Sequence, residues 1–403
     1  MVHNRFLEGV RVLDFTRVLS GPYATMVLAD MGAEIIKVES LEKGDDTRYF
    51  SPFVNGLSHY FLAYNRNKKS VTIDLKSAEG AALARNLAGK SDVVVENFRP
   101  GVMEKLGLGY DSLKASNPAL VYCAISGFGA DGPLRDNPSF DLVAQALSGI
   151  MSINCEPGET PTKLGLPLGD LAGGIFGVFG VLGALHAAQK TGIGCKVDIS
   201  MLDSLLGMLG YLSQLYFVTG KTPQPVGSGH PNIVPYRSFE TADGHVIVAC
   251  LTERFWGNLA RALGQPDLID DPRFQTAAAR SANRDALNAI IADTMKTADT
   301  ETWVEKLTRH DVPHAPLMSV AEALDSVNTK ARGMVRTVVH PIAGDVKVVG
   351  NPVRQDGVAP PQPTPPPLLG QDTKAVLEEV LGKDRAEIDR LLAAGVIGSE
   401  MTS

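Results

Sequence analysis

The sequence predicts an α/β protein: a Rossmann-like, doubly wound large domain with a parallel sheet, accompanied by a smaller α+β domain. Three observations carry this reading. Strand-like and helix-like segments alternate with short connections through the first half of the chain. One candidate strand, Val93–Val95, is continuously apolar, as a strand covered on both faces must be. The pattern then changes at a loop rich in Pro and Gly, Lys221–His230, beyond which a hairpin and a series of helices follow.

Taken in order, Val10–Phe15 alternates polar and apolar residues and reads as a strand. A loop, Thr16–Pro22, leads into an apolar-periodic helix over Tyr23–Met31 that Gly32 ends, and Ala33–Glu39 is a second strand. The unit repeats with a strand at Ser70–Leu75, a helix at Ala78–Lys90, the strand Val93–Val95, short helices at Met103–Leu106 and Tyr110–Ser116, and a strand at Leu120–Ser126. Past the loop, Tyr236–Leu251 reads as a hairpin turning at Asp243–Gly244, with helices to Val327 and strand-like alternation over Val335–Val349. Val353–Gly370 contains Pro360, Pro361, Pro363 and Pro365–Pro367, so it is extended and belongs to neither core sheet nor helix. Helices at Thr373–Leu381 and Ala386–Ala394 close the chain. Two apolar runs, Leu171–Ala188 and Leu205–Val218, are expected as buried core helices rather than membrane spans, because the first is glycine-rich and the second is short and carries Ser213 and Gln214. No fixed-period repeat is present, which argues against solenoids and propellers.

Composition narrows the function. With 403 residues, 44% hydrophobic and 21% charged, the chain is a folded globular protein of two to three domains. Lys plus Arg number 38 against 45 for Asp plus Glu, a net charge of −7, which argues against nucleic acid as a partner but leaves room for a small anionic ligand. Cys123, Cys155, Cys195 and Cys250 lack CxxC spacing, so neither a disulfide framework nor a zinc site is expected. No secretory signal is read at the N-terminus, and a reducing cytoplasm is the expected location. No GxGxxG follows the first strand. The nearest approximation, Gly127–Gly132, follows a later strand and opens no helix, so a nicotinamide or flavin site is not expected.

The most informative stretch is Gly165–Gly174, where Asp170 stands at the start of a long apolar helix. Two readings compete. Asp170 is a helix N-cap, a position that favours Asp. Alternatively, it is a nucleophile: a helix N-terminus stabilises an ionised carboxylate, and Gly169, Gly173 and Gly174 leave space for a ligand. Asp141, in the segment Ser139–Gln145, reads either as a solvated helix-start acid or as a partner of Asp170. Arg17 and Val18 are placed at the end of the first strand, where open α/β sheets bind ligands, and Asn97 and Phe98 follow an apolar strand. Lys76, Lys105, Arg48, Arg99 and Arg135 are either solvated charges or contacts for a phosphate or carboxylate, and His230 is a loop residue or a substrate contact.

Several segments in one order carry a family resemblance: Val12–Glu39, GDDTR at Gly44–Arg48, NRNKKSVTIDL at Asn65–Leu75, DVVVENFRPG at Asp92–Gly101, LGLGY at Leu106–Tyr110, SGFGADGP at Ser126–Pro133, Gly169–Asp170, and PPLLGQDT at Pro366–Thr373. The chain resembles the class III CoA-transferases of the CaiB/BaiF type, a group that includes formyl-CoA transferases, succinyl-CoA:dicarboxylate transferases and L-carnitine dehydratase-like proteins. The resemblance covers nearly the whole chain. It implies that Asp170 attacks the thioester carbonyl of an acyl-CoA, passing through a mixed anhydride and an aspartyl-CoA thioester, with Asp141 orienting it. It implies CoA contacts from Arg17, Val18, Ile73, Lys76, Asn97, Phe98, Arg99 and Lys105, with Ile73 packing on adenine and with CoA as the substrate thioester rather than a resident cofactor. Neither a metal nor a redox cofactor is expected, and the partners implied are an acyl-CoA, a small or dicarboxylic acid, and a second copy of the chain, with no nucleic acid and no membrane. The implied architecture is a homodimer of interlocked ring-shaped chains, with a large CoA-binding domain at 1–226, a small domain at 227–328, and a return segment at 329–403 completing the large domain.

Departures from the family pattern bear on substrate. Ser40 stands where some members have a basic residue after the glutamate matching Glu39, and the segment Val226–Asn232 lacks the four-glycine run of formyl-CoA transferases. That argues against formyl-CoA and oxalate as the substrate pair. An α-methylacyl-CoA racemase on the same fold needs a His where this chain has Phe140, and Phe cannot take a proton. Racemisation and non-catalytic acyl-CoA binding remain the alternatives to CoA transfer.

Overall fold

A computed structural model describes residues 5–399. It divides into two compact units. The first holds a six-stranded sheet built from β1 (Arg11–Asp14), β2 (Glu34–Glu39), β3 (Lys68–Thr72), β4 (Val93–Glu96), β5 (Val121–Ser126) and β6 (Lys196–Ser200). Every neighbouring pair is parallel, and the strands lie in the order β3-β2-β1-β4-β5-β6. That order reverses between β1 and β4, which makes the carboxyl ends of those two strands the topological switch point where doubly wound sheets bind ligands. The edge strand β6 is the one strand of this sheet that the sequence reading does not contain.

Alternation along the strands feeds two cores. Leu13, Ile36, Val71 and Val94 face Leu83 and Leu87 of the helix Ala78–Ala88 and Val376, Leu377, Ile388 and Leu391 of the C-terminal helices. Val12, Ile35, Val93, Val95 and Val121 face Ala24 and Leu28 of α1 (Ser20–Asp30) and Val178, Val181 and Leu185 of the longest helix, Leu168–Thr191. The chain thus returns after the second unit to finish the first: Asp372 N donates to Ser70 O at 2.9 Å, and Ser70 N donates to an Asp372 carboxylate oxygen at 2.8 Å, so the return segment covers the open edge of β3.

The helix Leu168–Thr191 is long and apolar enough to cross a membrane, yet one side of it packs on the sheet and on α1. The second apolar run differs from expectation. It forms two helices, Met201–Met208 and Tyr211–Thr219, bent by 73° at a break where Gly210 has φ +54°. The second of these has no buried residue, with Phe217 73% and Val218 74% exposed. It is therefore not the core helix that its hydrophobicity suggests.

The second unit comprises Gly220–Val327 and Ser152–Thr162, the latter a segment that the sequence reading places in the first part. It joins here because Gly227 N donates to Cys155 O at 3.2 Å. An antiparallel three-stranded sheet, ordered His314–Pro316, His245–Ala249, Tyr236–Glu240, packs on helices through Trp256, Ile291 and Trp303.

Candidate active site

Asp170 lies in the first turn of the helix Leu168–Thr191 as its third residue. The N-cap position belongs to Pro167, so the capping reading of Asp170 does not hold. The three glycines do not open space for a ligand either. A Cβ on Gly174 would stand 2.7 Å from Ser20 O, one on Gly173 3.2 Å from Met201 Cγ, and one on Gly169 3.2 Å from an Asp141 carboxylate oxygen. Their smallness lets this helix approach α1 and the helix Met201–Met208 closely.

The electrostatics also differ from the sequence expectation. Burial, with a further push from the negative charge of Asp141, raises the Asp170 carboxyl to about 7. The desolvation of the partly buried side chain outweighs the favourable helix terminus. Asp141 opens the helix Asp141–Leu147, and both of its oxygens are engaged: Oδ1 accepts from Gly169 N and Oδ2 from Gln145 Nε2, each at 2.7 Å. Tyr60 and Tyr64, on the helix His59–Tyr64, complete the surroundings. Burial raises both phenols, and the charge of Asp170 adds to this, so both hydroxyls stay protonated donors at neutral pH. Sequence reasoning missed Tyr60, Tyr64 and Gln145. Their chain positions carry no motif of their own, although the aromatic run at His59–Tyr64 is visible.

At the switch point of the sheet lies a cleft of 710 Å³ lined by Phe15, Arg17, Ser40, Lys43, Ile73, Lys76 and Phe98 among others. The structure therefore brings together four of the eight candidate coenzyme residues: Arg17, Ile73, Lys76 and Phe98. Ile73 is also a core residue, 1% exposed, and shows the cleft only part of its side chain. Arg17 and Val18 sit in the loop after β1 rather than at its end. Val18 does not line the cleft but shapes it: it holds φ +64°, a left-handed conformation costly for a β-branched residue, and its N–H donates to Asp45 Oδ1 at 3.2 Å. Asn97 bridges the switch point, accepting from Arg17 N at 2.8 Å and donating to Arg17 O at 2.7 Å. The Arg17 guanidinium then stacks 5.0 Å over the Phe98 ring. Arg99 and Lys105 are exposed and stand outside the cleft lining, to which the helix of Lys105 and its C-cap contribute Val102 and Leu106 instead.

The remaining cations divide. Arg48 is committed to structure: Nε and a terminal nitrogen donate to the two oxygens of the buried Glu39 at 2.8 and 2.6 Å, and the guanidinium stacks on Phe61. Arg135 lines a smaller cavity of 200 Å³ with Glu96, Lys196 and Asp198. His230, in the second unit, accepts at Nδ1 from Asn232 N and Ile233 N, both at 3.1 Å, and so shapes its own turn.

Fold and site together define a doubly wound α/β protein with a carboxylate pair at the head of its longest helix and a separate cleft at the sheet's switch point. The chain belongs to CoA-transferase family III, which it matches over residues 7–373. It is 37% identical over 397 residues to the succinyl-CoA:glutarate CoA-transferase of Mus musculus, covering 98% of this chain and 91% of that one. It is 38% identical over 374 residues to the acetyl-CoA:oxalate CoA-transferase of Acetobacter aceti, covering 92% and 95%. Among solved structures, a CaiB/BaiF family protein from Brucella suis superposes with a TM-score of 0.84 at 36% identity, covering 94% of this chain and all of that one.

Proposed function

We propose that the chain moves CoA from an acyl-CoA thioester to a free dicarboxylic acid, with Asp170 as the covalent carrier. The observation that carries this is the family III match together with the place of Asp170, half-buried in the first turn of its helix beside Asp141, which holds Gly169 N; that setting raises its carboxyl to about 7. An ordinary carboxylate is a weak nucleophile toward a thioester, and the added basicity strengthens it while leaving a large ionised fraction at neutral pH. In the first step a carboxylate oxygen of Asp170 bonds to the thioester carbonyl carbon, and the C–S bond breaks with its electron pair leaving on the CoA thiolate. The thiolate then attacks the aspartyl carbonyl, displacing the donor acid as its carboxylate. The acceptor carboxylate repeats both steps in reverse. Tyr60, a protonated donor near Asp170, is suited to hydrogen-bond the developing oxyanion. Succinate and glutarate head the candidate acids, on the strength of the relatives' names. The test is the mass of protein incubated with succinyl-CoA and trapped with hydroxylamine. A change confined to the peptide holding Asp170 supports the reading, and no change with a panel of acyl-CoAs defeats it. Phe140, beside Asp141, offers no base for racemisation.

The cleft at the switch point is read as the site of the CoA nucleotide. Arg17 and Lys76 line it, and so does Lys43, three residues beyond Ser40. Lys43→Ala and Lys76→Ala are each expected to raise KM for the CoA ester about fivefold with kcat unchanged, the worth of roughly 1 kcal/mol for an exposed charge contact. A smaller effect with dephospho-CoA esters is expected if the lysines meet the 3′-phosphate.

Dimerisation is the second part of the proposal. The first unit leaves Phe179 62% exposed, and Tyr216, Phe217 and Val218 uncovered on the helix Tyr211–Thr219. Such apolar helix faces mark association surfaces. Equilibrium sedimentation is expected to give a dimer with no stable folded monomer on dilution, and a well-behaved folded monomer would defeat the dimer.

A further inference from the structure

Gln145 is a fully buried amide with no role in the chemistry described so far, and it is unusually well connected. Its Nε2 donates to Asp141 Oδ2 at 2.7 Å and to Leu166 O at 3.2 Å, while its Oε1 accepts from Leu164 N at 2.9 Å. Asp141 in turn uses Oδ1 to hold the N–H of Gly169. One side chain therefore ties two backbone points of the 164–166 segment to a carboxylate that grips the residue before Asp170. A buried amide satisfied at three points is costly to disturb.

We propose that Gln145 is the positioning residue for the nucleophile: by locking Asp141 to the 164–166 segment it fixes a negative charge beside Asp170 that favours the uncharged, acylated forms of Asp170. This rests on the reading of Asp170 as the covalent carrier. With both oxygens accepting from N–H groups, Asp141 has the bonding pattern of an ionised carboxylate. Ionised Asp170 is repelled by it. When Asp170 bonds to the acyl carbon, its charge leaves with the CoA thiolate and that repulsion ends, so the fixed charge assists the covalent step. The raised Asp170 carboxyl agrees with this coupling. Among the described residues, Tyr60 and Tyr64 feel the charge of Asp170 and stay neutral, and the Lys163 ammonium donates to Leu164 O at 3.4 Å.

The experiment uses the full chain and two variants, with succinyl-CoA and glutarate as probes. Gln145→Met removes the polar contacts at similar volume. It is expected to lower kcat at least about tenfold, the cost of one well-placed hydrogen bond, with KM for succinyl-CoA within about twofold. Gln145→Glu is the sharper variant. Its carboxyl donates to Asp141 when protonated and repels it when ionised. The ratio of its kcat to that of the wild type is expected to fall at least about tenfold from pH 6 to pH 8.5. A ratio flat with pH, or Gln145→Met retaining kcat within about threefold, overturns the proposal. Should Gln145→Met not fold, the pH dependence of Gln145→Glu decides. Asp170→Ala is measured alongside: if it transfers CoA, the carrier reading fails, whereas an inactive Asp170→Ala with a flat Gln145→Glu ratio removes only the clamp.

Discussion

Asp170→Ala is expected to lower CoA transfer by roughly 10⁴-fold or more, since removing a covalent nucleophile leaves only binding and oxyanion contacts to act. Binding of the CoA ester should change little, because the switch-point cleft does not include Asp170. Hydroxylamine trapping should lose its product together with turnover. Activity within tenfold of the wild type would rule the residue out as carrier. Asp170→Asn adds a stability test with a defined sign. The folded carboxyl titrates at about 7 against an ordinary value of 3.8. Between those values the folded protein binds more protons than the unfolded chain, so this group's contribution to stability falls as pH rises from 4 through 7. Replacing it with the neutral amide removes that loss. Asp170→Asn should therefore melt higher than the wild type at pH 8, by roughly 1–2 °C for each 1 kcal/mol recovered, and equally at pH 3.5. Equal melting at pH 8 would mean that burial does not penalise the charge. A catalytic group that costs stability in its working form is the expected signature of a functional carboxylate.

The second large effect lies beneath the loop after β1 that displays Arg17. Asp14, Lys37, Lys68 and Asp45 are all buried, with Lys68 Nζ 3.2 Å from Asp14 Oδ2 and Lys37 Nζ 2.9 Å from Asp45 Oδ2. Asp14 also accepts from Thr16 N, Thr16 Oγ1 and Thr25 Oγ1. Burial lowers Lys68 to about 8 despite Asp14, and removing Asp14 leaves that lysine without its counter-ion. Asp14→Ala is expected to cost about 3–5 kcal/mol in urea unfolding, the range for breaking one side of a buried pair. The double variant Asp14→Ala/Lys68→Met should recover a large part of that loss, because no uncompensated charge is left. Additive losses would show that the two residues are not coupled. The same variant should weaken CoA-ester binding. Thr16 O accepts from Lys37, and Asp45 holds the strained Val18, so the network sets the backbone on which Arg17 is displayed.

Short-range pattern was enough for most of the first unit. Val12, Leu13 and Val93–Val95 declare buried strands, Gly32 ends α1, and the proline run at 360–367 excludes regular structure, all through constraints acting within a few residues. The motif order was enough for the family, and it singled out Asp170 and Asp141 as candidates. What the chain could not declare locally depends on residues far apart in sequence. The edge strand Lys196–Ser200 is defined by pairing with β5 about seventy residues earlier. Gly173 and Gly174 look like an opening for a ligand until Met201 and Ser20 are packed against them. Arg48 looks like a free cation until Glu39 meets it. Tyr211–Thr219 has the hydrophobicity of a core helix, but the first unit leaves it uncovered. Above all, hydrophobic periodicity and motif spacing identify a carboxylate without fixing its proton affinity. That was decided by the tertiary structure, which withdraws Asp170 from water and sets Asp141 beside it, because desolvation and Coulomb repulsion depend on distance and burial rather than on position along the chain.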